Sequence, residues 1–136
     1  VAVDKQKRLI DEIHKMGKEV LMSSHLYRFA EAEEVLEIAY EQQKRGADIA
    51  KIVTAANNEA EEAENIRITG LLKKELKIPF LFLSGGTYYK IHRLVSPLLG
   101  SCMSLCVPQY DELASKCQPP LKFVRYVTDN MDYMPD

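Results

Sequence analysis

Tryptophan is absent from the 136 residues, and cysteine, glycine and proline are sparse at three, six and six. Cys102, Cys106 and Cys117 are an odd number and too few for a disulfide framework. Such usage suits reduced thiols in a cytoplasmic protein. No low-complexity segment or Gly/Pro-rich linker divides the chain. Long apolar runs are missing too: one of the longest, 78–83, falls far short of the ~20 residues of a membrane-spanning helix. An excess of either charge is lacking. Eighteen Lys+Arg against 20 Asp+Glu leave −2, so no bulk field points to nucleic acid or an acidic membrane. What is present is ordinary globular composition, 46% apolar and 28% charged, which argues against global disorder. A chain of this length buries roughly two-thirds of its unfolded surface, enough for a single domain over 1–136.

Strand-like runs occur at 1–3, 19–23, 49–54, 79–83 and 101–107. Each is rich in Val, Ile, Leu or Phe, and several are apolar on both faces, as strands are when both sides are covered. Helical periodicity lies between them. Residues 4–16 place Leu9, Ile10, Ile13 and Met16 on one face before Gly17. Residues 30–44 place Ala32, Val35, Leu36, Ala39 and Tyr40 on one stripe, and Gly46 follows as a stop. Asn57 or Asn58 is a cap for a helix to about Leu76. Residues 91–99 form a shorter segment whose second half Pro97 weakens. The tail changes character, and 121–127 reads as either strand or helix. The alternation predicts an α/β fold of parallel βα units.

Lys51 lies within 48–54, where alternation puts Ile49, Lys51 and Val53 on one face and Ala50, Ile52 and Thr54 on the other. Neither face is polar. A lysine there is costly unless paired or neutral, and a neutral amine attacks carbonyl carbons. The plainer reading is an edge strand whose lysine snorkels to water. His25 follows the run 19–23. Chemistry in parallel α/β sheets gathers at the carboxyl ends of strands, and a histidine there suits general acid/base work near neutral pH; the plainer reading is an exposed loop histidine. Arg93 follows the loop Ser84-Gly85-Gly86-Thr87. Its guanidinium fork suits a carboxylate, or else a surface ion pair. Gly85-Gly86 is a weak phosphate-cradle candidate without a P-loop pattern. His14 reads as solvated, His92 as structural, and the acidic run 59–64 as a solvated helix face. Cys102 and Cys106 share one face of the strand expected at 101–107. No His/Cys set completes a metal site around them, so they read as core thiols and no metal ligand is assigned.

Four segments together resemble a known family: Glu19-Val20-Leu21-Met22-Ser23-Ser24-His25, Gly46-Ala47-Asp48-Ile49-Ala50-Lys51-Ile52, Ile78-Pro79-Phe80-Leu81-Phe82-Leu83-Ser84 and Ile91-His92-Arg93-Leu94. They are similar to the Ser-x-His strand end, the Gly-Ala-Asp-Ile-x-Lys strand and the Arg-Leu pair of type I 3-dehydroquinate dehydratase, with 46–52 the most specific match. The resemblance implies a (β/α)8 TIM barrel, of which 1–136 is the C-terminal half, about strands four or five to eight, with a divergent lid and tail at 108–136. A whole barrel needs ~250 residues. A start at Val1 rather than Met agrees with a longer protein.

The implied roles are specific. Lys51 would form a Schiff base with the substrate ketone, His25 would act as general acid/base, and Arg93 would hold the substrate carboxylate. Two departures stand out. Leu26 replaces the Asp that follows the family's His. The lid reads Cys117-Gln118-Pro119-Pro120-Leu121 in place of roughly Ser-Ala-Pro-Gly-Gln, leaving Gln118 as the lid's substrate-binding candidate. The implied partners are a 3-dehydroquinate-like keto acid and the missing N-terminal half, with no metal or organic cofactor. Exposed sheet edges on a half-barrel also imply a homo-oligomer. Two other readings are an aldolase-like Schiff-base barrel, with Gly85-Gly86 as its phosphate site, and a non-catalytic βα module.

Overall fold

A computed structural model describes residues 3–131. The elements are α1 (Val3–Lys15), β1 (Leu21–His25), α2 (Ala32–Lys44), β2 (Ile49–Ala56), α3 (Glu59–Glu75), β3 (Phe80–Gly86), α4 (Lys90–Leu99) and α5 (Leu121–Asn130). Among the described residues the strands form one parallel sheet in the order β1-β2-β3. Helical crossovers join each parallel pair, so the expected βα units are present.

Register divides the sheet into two faces. Ala50, Ile52, Phe80 and Phe82 lie on the helix side and bury against Val35 and Ala39 of α2 and Ile68 and Leu72 of α3. Each large side chain removed from water there contributes roughly 1.5–3 kcal/mol. Ser23, His25, Lys51, Val53, Leu81 and Leu83 share the opposite face. That face is exposed on β1, half-buried at Lys51 and Val53, and buried on β3.

Local chemistry explains the boundaries. The Asn58 side chain accepts from the Glu61 N–H at 3.0 Å and caps α3. Gly46, at φ 97°, ends α2 in a conformation open to glycine. Asp48 then ties α1 to the sheet. Its Oδ2 accepts from the Val20 N–H at 2.6 Å and pairs with His14 Nε2 at 2.8 Å. The Val20 bond, followed by the His14 bond, holds the Asp48 carboxyl below its usual range. His14 is exposed, as expected, and through Asp48 it also ties α1 to the sheet.

Other expectations are corrected here. Residues 1–2 of the strand expected at 1–3 lie outside the described residues, and Val3 opens α1. The strand expected at 101–107 does not form, apart from an isolated bridge between Val107 and Pro120. The cause is visible along the outer edge of β3. The Cys102 N–H donates to Phe80 O at 2.8 Å, as a neighbouring strand would. Beyond it, side chains take the edge. Ser101 Oγ accepts from the Phe82 N–H, Ser96 Oγ donates to Phe82 O, and His92 Nδ1 accepts from the Ser84 N–H. Arg93 Nε donates to Ser84 O. With those groups paired, 103–106 has no ladder to join. Cys102 is consequently exposed, while Cys106 and Cys117 are half-buried, and all three are free thiols rather than core residues. Residues 121–127 resolve as helix, in α5. No helix among the described residues is long and apolar enough to cross a membrane.

Candidate active site

Lys51 lies in the middle strand, with Ser23 of β1 and Leu81 of β3 as its register partners. His25 is two residues further along β1, opposite Val53, on the same face. Two residues of rise and one interstrand step put their Cα atoms about 8 Å apart. A small molecule over this face meets both side chains. The Lys51 backbone is held from behind: Gln42 of α2, 2% exposed, donates from Nε2 to Lys51 O at 3.1 Å and to Ser24 Oγ at 2.9 Å.

His25 has a neighbour that the spacing did not single out. Tyr27 stacks on it, with ring centroids 5.8 Å apart and planes at 19°. Tyr27 adopts φ 56°, uncommon for a residue with a side chain. Leu26 packs against the core cluster on the helix side. The position where the resemblance has Asp therefore adds packing and no charge beside His25.

Arg93 is elsewhere. It is 8% exposed and sits off the outer edge of β3, donating from Nε to Ser84 O at 2.6 Å. Burial lowers its pKa, and the nearby Cys117 and Tyr89 oppose that effect. No described residue accepts a hydrogen bond from its two terminal nitrogens. Arg93 borders a cavity of about 330 Å³ whose wall also includes Tyr89, Tyr110, Pro119, Pro120 and Phe123. Lys51 and His25 do not line it. Gln118 is half-buried in the turn above α4, its N–H donating to Ser115 O at 3.0 Å. That turn is fastened by Tyr89 Oη, which donates to Lys116 O at 2.9 Å. The structure therefore pairs Lys51 with His25 and groups Arg93 with the lid segment, with β3 between the two sets.

A buried polar chain supports this end of the sheet. Thr54 Oγ donates to Asn65 Oδ1 at 3.4 Å, and Asn65 Nδ2 donates to Ser84 Oγ at 3.1 Å. Its signal in the sequence is faint: polar residues at helix-facing strand positions opposite Asn65 and Thr69, which are i, i+4 on α3. Glu62 corrects the reading of 59–64 as a solvated face. It is 8% exposed, and its Oε1 accepts from the N–H groups of Ile91 and His92 at 3.1 and 3.4 Å. Carboxylate on the open N–H groups of a first turn is favourable. Among the described residues no group of three or more His, Cys, Asp or Glu converges as a metal site requires.

The type I 3-dehydroquinase family matches residues 1–131. The chain belongs to this family. A 3-dehydroquinate dehydratase of Alkaliphilus oremlandii is 31% identical over 100 residues, covering 72% of this chain and 39% of that protein. One of Clostridium kluyveri is 29% identical over the same length. Among solved structures, the type I 3-dehydroquinate dehydratase of Clostridium difficile superposes with a TM-score of 0.82 at 21% identity, covering 93% of this chain and 50% of the other. The 3-dehydroquinate dehydratase of Aquifex aeolicus gives 0.77 at 22%, covering 96% and 57%. These superpositions establish the fold. The chain spans about two-fifths of the length of the curated relatives, and its three parallel strands are part of the type I 3-dehydroquinase barrel.

Gly85-Gly86 has a structural cause within that barrel. Gly86 adopts φ 80°, and a Cβ there would collide with the Ala56 carbonyl oxygen and lie 2.9 Å from Asn57 Oδ1. The last residue of β3 lies beside the end of β2 at backbone distance, where only glycine fits. Gly86→Ala is expected to destabilise the protein by about 2 kcal/mol or more, from strain and close contact together. Urea unfolding followed by far-UV circular dichroism checks this.

Proposed function

We propose that the protein is a type I 3-dehydroquinate dehydratase in which this chain supplies the covalent and proton-transfer residues. Lys51 and His25 on one open face of β1 and β2 carry the proposal. The Lys51 amine adds to the substrate ketone and expels water, forming an iminium. The iminium draws electrons and acidifies the adjacent C–H. His25 removes that proton, the β-hydroxyl leaves as water with a proton returned by His25, and a second water hydrolyses the imine. The net change is loss of one water, 3-dehydroquinate to 3-dehydroshikimate, a step of the shikimate pathway. Arg93 binds the carboxylate through its terminal nitrogens, and Gln118 contributes from the lid. No metal or organic cofactor is required. The protein works in the cytoplasm, with the N-terminal half of the barrel completing the site, and as a homo-oligomer.

The test uses the full-length protein. His25→Ala is expected to lower kcat by roughly 10²–10⁴-fold, the usual range for a general acid/base. The imine should then accumulate under substrate, as a mass shift in the intact protein. An unchanged kcat would remove His25 from the reaction.

A further inference from the structure

Ser84 lies near the end of β3, and its N–H and C=O are both taken by side chains off the strand's outer edge. Two consecutive residues of α4 take one each. His92 Nδ1 accepts the N–H at 3.3 Å, and Arg93 Nε donates to the carbonyl at 2.6 Å. The His92 ring is itself fixed. Its Nε2 lies 2.9 Å from Thr69 Oγ1, and that hydroxyl donates to Asn65 O at 2.9 Å. With the Thr69 proton committed and Nδ1 accepting, His92 carries its proton on Nε2. The ring is 0% exposed and packs edge-on against Phe82, centroids 5.3 Å apart. Glu62 holds the backbone of the same turn.

We propose that His92 is a positioning residue for Arg93, acting through Ser84. This rests on the role given to Arg93 above. A guanidinium bonded through Nε is held in orientation by that bond, and the terminal pair is left to meet a carboxylate end-on. Ser84 O is the reference for that orientation, and His92 fixes the other polar group of the same residue. Without the ring, the Ser84 N–H loses its acceptor and the end of β3 relaxes. Arg93 then reaches the substrate from a different origin, and displacements of about 1 Å are enough to cost affinity and rate. Burial, with the Arg93 charge second, lowers the His92 pKa to about 4, so the ring stays a neutral acceptor at physiological pH.

The test is a kinetic cycle on the full-length protein. His92→Leu is expected to raise KM for 3-dehydroquinate about tenfold, the value of one lost hydrogen bond, with kcat within about threefold. His92→Asn, which keeps an acceptor near the Nδ1 position, should recover most of the loss. In an Arg93→Ala background His92→Leu should add nothing, because residues acting as one unit are not additive. The same factor appearing in both backgrounds would overturn the proposal and leave His92 a packing residue. An Arg93→Ala variant with unchanged KM would instead refute the role of Arg93 itself. If His92→Leu does not fold, Thr69→Val removes only the hydroxyl that anchors the ring; a KM effect present with Arg93 and absent without it supports the proposal, and equal effects in both backgrounds overturn it.

Discussion

Lys51→Ala in the full-length protein is expected to lower turnover by on the order of 10⁴-fold or more while leaving the fold intact. Removing a covalent nucleophile takes away the pathway through the imine, leaving only binding and local electrostatics. The fold should survive because Lys51 lies on the open face of β2, away from the core of Phe82, Ile52 and Leu72. The backbone at this position is held by Gln42 and by two parallel neighbours, none of which needs the side chain. Lys51→Arg separates covalent from electrostatic roles. It keeps the positive charge and loses the nucleophilic amine, so it should be as inactive as Lys51→Ala. Activity within about tenfold of wild type in the arginine variant would mean the lysine acts by charge alone.

The second large effect concerns stability in acid. His92 is held near a pKa of about 4 by burial and, secondarily, by the Arg93 charge. An unfolded histidine titrates near ~6.5. Between these values the unfolded chain binds a proton that the folded protein does not. Stability therefore falls as pH drops through the window from about 6.5 to about 4, and the loss levels off below it. The full displacement corresponds to about 3 kcal/mol. Urea unfolding at pH 7 and pH 4 measures it, with His92→Asn as the reference without that histidine. The difference between wild type and variant should shift by about this amount across the window. The Asp48 carboxyl is held below its usual range, so the stabilisation it provides is lost at lower pH, below the His92 window. An unchanged difference between pH 7 and pH 4 would mean that His92 takes up its proton at an ordinary pKa in the folded state.

The βα order and the placing of 49, 51 and 53 on one strand face were legible because each depends on local periodicity, and 46–52 was legible as a motif. A period of two puts 49, 51 and 53 together wherever the strand goes. The Gly-Ala-Asp-Ile-x-Lys pattern also shows its physical basis in the fold. Gly46 ends α2, Asp48 pins the starts of β1 and β2, and Lys51 follows at mid-strand. The apolar stretch 101–107 looked like a strand because its composition is that of one. It fails to pair because His92, Arg93, Ser96 and Ser101 occupy the edge of β3, a fact of tertiary placement that no local window contains.

The same reason explains the site residues that were misread or missed. Glu62 belongs to an acidic helical run whose neighbours are solvated, and only the approach of α4 buries it. His14 is exposed as its helical neighbours suggest, and only its partner Asp48, 34 residues away, was missed. Tyr27 gives no signal beyond following a histidine. Arg93 was recognised as a carboxylate-binding candidate, but its separation from Lys51 and His25 by β3 was not. In a barrel the strands curve toward a common axis, and three strands carry only part of that closure.

The most direct measurement is reductive trapping. The full-length protein is incubated with 3-dehydroquinate and sodium borohydride, then digested and analysed by mass spectrometry. The expected result is a reduced substrate adduct on the peptide bearing Lys51, absent from the Lys51→Ala variant. No adduct on an active protein, or an adduct confined to another lysine, would contradict the assignment of Lys51 as the Schiff-base residue.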